Sequence, residues 1–230
     1  MLEVDKGIIQ QGDFRLSAGF QVRAGAIVAV LGPSGAGKST LLAAIAGFVP
    51  LSEGRILWQG RDITTLPPAA RPVSVLFQDG NLFPHMNARD NVALGIDPGL
   101  RLSATQWGQV DAALKRVGLD RLGARKPAEL SGGQIARVAL ARAVLRDRPV
   151  MLLDEPFSAL GPGLKADMLA LVHEIASDTG ATVLMVSHDP GDARAIASEV
   201  ILVADGRAQP PRQTGAIFDD PPDALRAYLG

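Results

Sequence analysis

Nine residues constrain this chain more than any others: Gly32-Pro33-Ser34-Gly35-Ala36-Gly37-Lys38-Ser39-Thr40. They fit the pattern Gly-x-x-x-x-Gly-Lys-Ser/Thr, and their surroundings suit it. Ala26 to Leu31 ahead of them is an unbroken apolar run, as expected of a strand buried on both faces. Lys38 to Ala46 after them reads as helix. Glycines let the backbone curl until its N–H groups converge on an anion, and the helix N-terminus adds positive dipole. Lys38 would reach the β- and γ-phosphates of a bound triphosphate, and the Ser39 hydroxyl would ligate Mg2+. Strand, glycine-rich turn and helix together predict an α/β core that binds a nucleoside triphosphate.

The rest of the composition narrows the class. The 230 residues are 47% hydrophobic and 20% charged, enough for a sizeable core. A net charge of −1 gives no bulk attraction to nucleic acid or anionic lipid, so no nucleic-acid partner is expected. There is no cysteine, which excludes disulfides and thiol catalysis. Met1-Leu2-Glu3-Val4-Asp5 lacks the basic-then-apolar pattern of a signal peptide, and no apolar run is long enough to span a bilayer. Any membrane connection is therefore expected to run through a partner.

Residues 1–31 read as short strands punctuated by glycine, an antiparallel edge sheet leading into the phosphate-loop strand. Phe14 is the candidate here for stacking on an adenine. Ile56-Leu57-Trp58 and Val73 to Phe77 read as further strands, separated by the breaker Thr65-Leu66-Pro67-Pro68, and Gln78 stands at the end of the second. From about residue 79 to 129 the texture turns helical. Asn87-Ala88-Arg89-Asp90 opens one helix and Asp97-Pro98-Gly99 breaks it. Ser103-Ala104-Thr105-Gln106 is a capping box for a second, which carries Trp107, Val110, Leu114 and Val117 on one face. Residues 1–230 thus read as a single domain, with a nucleotide-binding core over 1–78 and about 130–230 and a helical insertion between. The closing helix, Asp223 to Leu229, leaves no room for an additional regulatory domain.

Two further features carry chemistry. Leu130-Ser131-Gly132-Gly133-Gln134 leads into a helix expected from about Gln134 to Arg146, and a Ser-Gly-Gly start offers N–H groups and dipole to an anion. The apolar run from Val150 ends in Asp154-Glu155, at the carboxyl end of a strand, where parallel sheets place catalytic groups. Asp154 suits a Mg2+ ligand, and Glu155 a base that orients and polarises the attacking water. Thr182 to Ser187 repeats the design and brings His188 to the same edge, where a γ-phosphate sensor would sit. Gln78 belongs with them as a catalytic and metal-ligating candidate, beside Lys38.

In this order and spacing, Gly32 to Thr40, Gln78, Leu130 to Gln134, Val150 to Glu155 and His188 resemble the ATP-binding subunits of ABC transporters, across essentially the whole chain. The resemblance implies a P-loop NTPase core of the ABC type, with an antiparallel β edge and an inserted α-helical subdomain. It implies ATP and Mg2+ as cofactors and a head-to-tail homodimer. Each ATP would be sandwiched between the phosphate loop of one copy and Ser131-Gly132-Gly133-Gln134 of the other. Hydrolysis would then drive transmembrane permease subunits, served indirectly by a periplasmic binding protein, from the cytoplasmic face of the bacterial inner membrane. Pro67 to Gln78, Asn81-Leu82-Phe83, Leu94 to Leu100 and Ala204 to Arg207 resemble more closely the thiamine-importing branch of that family. Cargo such as a polyamine or iron is the alternative within the family, and a non-transport ABC-type ATPase the alternative outside transport. In the family, the segment Asp79 to Met86 lies near the groove that receives the permease's coupling helices. There are three departures from the pattern: Gly161 replaces the usual Asp after Ser158-Ala159-Leu160, Ile135 and Ala136 replace polar or basic residues, and the adenine-stacking aromatic is not clearly placed.

Overall fold

Unbroken apolar runs and alternating ones build two halves of one sheet. A computed structural model describes residues 1–78 and 80–229. Strands β1 (Leu2–Gln11), β2 (Phe14–Val22) and β3 (Ile27–Leu31) lead into helix α1 (Lys38–Ala46). Strands β4 (Glu53–Trp58), β5 (Arg61–Asp62) and β6 (Val73–Leu76) follow, then helices α2 (Ala88–Ala93), α3 (Ala104–Arg116) and α4 (Gly132–Leu145). The last third runs β7 (Val150–Asp154), α5 (Pro162–Thr179), β8 (Thr182–Val186), α6 (Pro190–Ile196), β9 (Glu199–Ala204), β10 (Arg207–Ala208), β11 (Arg212–Gln213), α7 (Thr214–Asp219) and α8 (Asp223–Leu229).

The strands lie in the order β5-β4-β1-β2-β10-β9-β3-β8-β7-β6, with β11 on β9. β1 pairs antiparallel with both β2 and β4 and alternates buried with exposed residues, as a sheet with one wet face must. Gly12 and Gly25 sit at positive φ in the turns between these strands, as the glycine punctuation over residues 1–31 predicts, but Gly7 does not divide a strand. Gly7 instead coincides with a shift of register in the β1–β2 pair, between Val4 and Gly7. β9, β3, β8, β7 and β6 are parallel, and β3 and β8 are buried at every residue.

This arrangement leaves two cores, one on each face. Leu41, Leu42 and Ile45 of α1 pack with Val28, Val30, Leu152 and Val186 under the antiparallel half. On the opposite face Leu140 of α4, Met168 and Val172 of α5, and Leu225 of α8 cover Leu31, Leu153 and Met185. A third cluster joins α2, α3 and the far side of α4 through Val92, Val110, Leu114, Val138 and Ala141. Helix α4 therefore has two apolar faces and ties the helical layer to the sheet. Truncating a fully buried leucine such as Leu152 to alanine would cost about 2–5 kcal/mol.

One buried charge fastens the far end of α1. Arg71 is 2% exposed. It donates to the carbonyls of Ala44 and Ile45, both at 2.8 Å, of Leu66 at 2.9 Å and of Thr64 at 2.6 Å. Gly47 ends the helix at φ 89°, and a Cβ there would lie 2.6 Å from Arg71 Nε. Only glycine leaves room for the guanidinium.

Candidate functional site

The phosphate loop links the end of β3 to α1, and two glycines permit its path. Gly32 has φ 148°, and a Cβ on it would lie 2.0 Å from the Val203 carbonyl oxygen of β9. Gly37 has φ 100°, and its Cβ would meet the Phe14 ring at 2.5 Å. Phe14 therefore lies against the loop, packed on the core below it. Gly37 is the N-cap of α1 and supplies no side-chain acceptor, so the helix start keeps its N–H groups available. Pro33, Ser34 and Gly35 at the crest of the loop are exposed. Lys38 bends back across the loop, its Nζ donating to Gly32 O at 2.7 Å and Pro33 O at 2.9 Å. It is 7% exposed; burial pushes its ammonium pKa down, against the pull of Glu155 and Asp154. A triphosphate would replace those two carbonyls as its partner.

Next to the loop stand the strand-end acids. β7 brings Asp154 to Ser39, whose Oγ donates to Asp154 Oδ1 at 2.8 Å. Burial raises the Asp154 pKa, and the Ser39 hydrogen bond opposes that rise. Glu155 follows at φ 45°, a left-handed conformation that is strained for a non-glycine residue, with its N–H on Val186 O of β8. Its side chain faces His188, whose Nδ1 lies 3.4 Å from Glu155 Oε2. Lys38, Ser39, Asp154, Glu155 and His188 are thus assembled on one sheet edge.

Gln78 is exposed on the loop that follows β6. Arg142 of α4 braces the next residues, donating to Gly80 O at 2.7 Å and Asn81 O at 2.9 Å. Burial lowers the Arg142 pKa, so those carbonyls carry its desolvated charge. Ile135 of α4 also lies against Gly80. Asp79, the first residue of the segment expected at the groove, lies outside the described residues. Gly80 to Met86 runs beside an apolar groove of about 570 Å³ between sheet and helical layer, lined by Phe48, Phe77, Phe83, Met86 and Arg142 among others. Phe48 and Phe83 are 54% and 46% exposed there, unusual for rings on a closed surface.

Ser131 to Gln134 stands apart from this cluster. Ser131 Oγ accepts from Gln134 N at 3.3 Å, and Gln134 Oε1 accepts from Ser131 N at 3.0 Å, a reciprocal cap. α4 begins at Gly132, two residues earlier than expected, because both glycines are helical. Leu160 and Leu164, flanking the start of α5, lie against Gly132 and Gly133. Gly161, where the family has Asp, is the N-cap of α5 and makes no side-chain cap.

Sequence reading passed over the braces around His188. Lys165 of α5 contacts Asp189 at 2.5 Å and Asp192 at 2.8 Å, and Ser187 Oγ donates to Asp192 at 2.6 Å. The Tyr228 hydroxyl of α8 donates to the His188 carbonyl. The relevant charges are more than 20 positions apart along the chain, so no local pattern announces them.

Known proteins share this geometry. A family model described as ABC transporter matches residues 17–158. The thiamine import ATP-binding protein ThiQ of Cereibacter sphaeroides is 64% identical over 230 residues, all of both chains. The protein of that name in Ruegeria sp. is 57% identical over the same span. Its namesake in Escherichia coli is 53% identical over 186 residues, 81% of this chain and 80% of that one. Among solved structures, a nucleotide-free ATP-binding cassette from an ABC transporter superposes with TM-score 0.88 at 25% identity, covering 100% of this chain and 99% of the other. A dimeric ATP-binding cassette in a post-hydrolysis state, bound to ADP and phosphate, gives 0.81 at 28% identity, over 93% of this chain and 99% of that one. The family model over residues 17–158 and the full-length relatives agree: this chain belongs to the ABC transporter family.

Proposed function

We propose that this chain is the ATP-hydrolysing subunit of a bacterial thiamine importer. The observation that carries the chemistry is the convergence of Ser39, Asp154, Glu155 and His188 beside the free N-terminus of α1. The full-length relatives named as thiamine import ATP-binding proteins support the cargo. In this reading Gly32 to Thr40 cradles the phosphates with backbone N–H groups, and Lys38 releases the loop carbonyls to pair with the β- and γ-oxygens. Phe14, at the edge of the loop, is the adenine platform. Glu155 accepts the proton of the attacking water, and His188, beside it, holds that water and the γ-phosphate in line.

Ser39 Oγ and Asp154 Oδ1 are oxygen donors 2.8 Å apart, and with the Gln78 side-chain carbonyl brought in from its exposed loop they would suit a hard divalent cation such as Mg2+. Among the described residues no group of three or more His, Asp or Glu side chains could hold a metal alone, so phosphate oxygens and water would complete the shell. Mg2+ held there would neutralise charge on the β- and γ-phosphates.

Ser131 and Gly132 are exposed at the start of α4, and Gly133 is buried against Leu164. They support a head-to-tail homodimer in which each ATP is sandwiched between two subunits. The groove rimmed by Phe48 and Phe83 would receive a helix of a transmembrane permease subunit, fed by a periplasmic binding protein. No helix of the described chain is long and apolar enough to cross a membrane, and the reading places the subunit peripherally on the cytoplasmic face.

The test is reconstitution with the cognate permease and binding protein in liposomes. Thiamine should stimulate ATP hydrolysis, and Glu155→Gln should reduce turnover by about 10²–10⁴-fold while ATP binding persists and the dimer lives longer. Full turnover in that variant rejects Glu155 as base. Stimulation by a polyamine or iron without any by thiamine rejects the cargo.

A further inference from the structure

The turn that carries His188 is held on both sides. Before it, Ser187 Oγ accepts from Asp189 N at 3.0 Å and donates to Asp192 Oδ2. After it, Asp189 caps α6 through Gly191 N at 2.8 Å, and Lys165 fastens both aspartates to α5. The His188 ring itself is 57% exposed, and its contact with Glu155, at 3.4 Å, lies at the outer limit of a hydrogen bond. A backbone shift of a few tenths of an ångström would break it. The orientation of the peptide at His188 thus decides whether the ring meets Glu155.

That peptide has its own anchor. α8 is seated by Leu225, which is fully buried in the core on the α4–α5 face, and Tyr228 packs half-buried on the same cluster. A half-buried phenol needs a partner for its O–H, and this one donates to the His188 carbonyl. We infer that Tyr228 is a positioning residue for hydrolysis, fixing through that carbonyl the backbone from which His188 reaches Glu155. Burial and the neighbouring Glu155, Asp189 and Asp192 push the phenol pKa up, so the hydroxyl stays a donor. The inference rests on the reading above, in which Glu155 and His188 act on ATP.

Steady-state MgATP hydrolysis by the assembled transporter tests it, with Tyr228→Phe, His188→Ala and the double variant. His188→Ala should lose at least about 50-fold in turnover if the ring orders the transition state. Tyr228→Phe keeps the ring and its packing; it should lower kcat about three- to tenfold, the worth of one neutral hydrogen bond, with KM within twofold. In the His188→Ala background the Phe substitution should cost nothing more. 3-Fluorotyrosine at position 228, which retains the donor, should restore kcat to within about twofold. An unchanged kcat in Tyr228→Phe beside an inactive His188→Ala overturns the positioning role alone. So does an equal loss in both backgrounds, which marks a structural effect, or a rise in KM in place of the fall in kcat. Full turnover in His188→Ala overturns the reading of the site itself.

Discussion

Helices α1 and α4 both have glycine at their N-terminal ends, and they are capped differently. α1 starts at Gly37 with no side chain to satisfy its N–H groups, under a loop that Lys38 holds closed. α4 starts at Ser131, whose hydroxyl and Gln134 partner satisfy each other. The first end has unmet donors and a buried cation and is incomplete without an anion. The second has the N–H groups of Ser131 and Gln134 met by the reciprocal cap, and Ser131 and Gly132 are exposed. Sequence alone makes both look like anion sites; the caps distinguish them, because only at α4 does a side chain meet a first-turn N–H group.

The largest expected effect falls on α1's loop. Gly32→Ala puts a methyl group 2.0 Å from the Val203 carbonyl in a backbone conformation hostile to alanine. It should cost at least about 3 kcal/mol in urea unfolding and abolish ATP binding in calorimetry. Lys38→Ala comes next: it leaves the loop in place but removes the charged partner of the phosphates, and ATP affinity should fall about 10–100-fold. Ser131→Ala should leave ATP affinity of the isolated subunit within twofold while turnover of the dimer falls. Loss of the α4 cap should also cost about 1 kcal/mol of stability. If this variant weakens binding to the isolated subunit as much as Lys38→Ala does, the two helix ends are equivalent and the comparison fails. Gly161→Asp is the smallest change. It would give α5 the side-chain cap it lacks, in space where a Cβ meets no atom within 4 Å, for a few tenths of a kcal/mol by thermal unfolding. A loss of stability there would mean that the Gly161 backbone answers to something other than capping.

What was legible in the sequence follows from sheet geometry. Strands buried on both faces read as apolar runs, so Leu31, Leu153 and Val186 each mark a place where the next polar residues reach the same edge. That alone aligns the phosphate loop, Asp154-Glu155 and His188. Short pieces were not legible: β11 is two residues held extended by pairing with the neighbouring β9. Nor was Tyr228, one aromatic on a seven-residue helix, whose importance lies in a partner 40 positions away. Arg71 gave no signal either, since its partners are backbone carbonyls, which every sequence offers equally.

That arginine has a consequence for the opposite end of α1. The nine-residue helix is roughly 13 Å long, so its two ends belong to one electrostatic object. A guanidinium seated on the carbonyls of Ala44 and Ile45 neutralises the negative pole of its macrodipole. The positive pole is then left to act at Gly37, where the phosphates would arrive. Arg71 is the counter-charge of the helix that carries the phosphate loop, set at the end remote from the site.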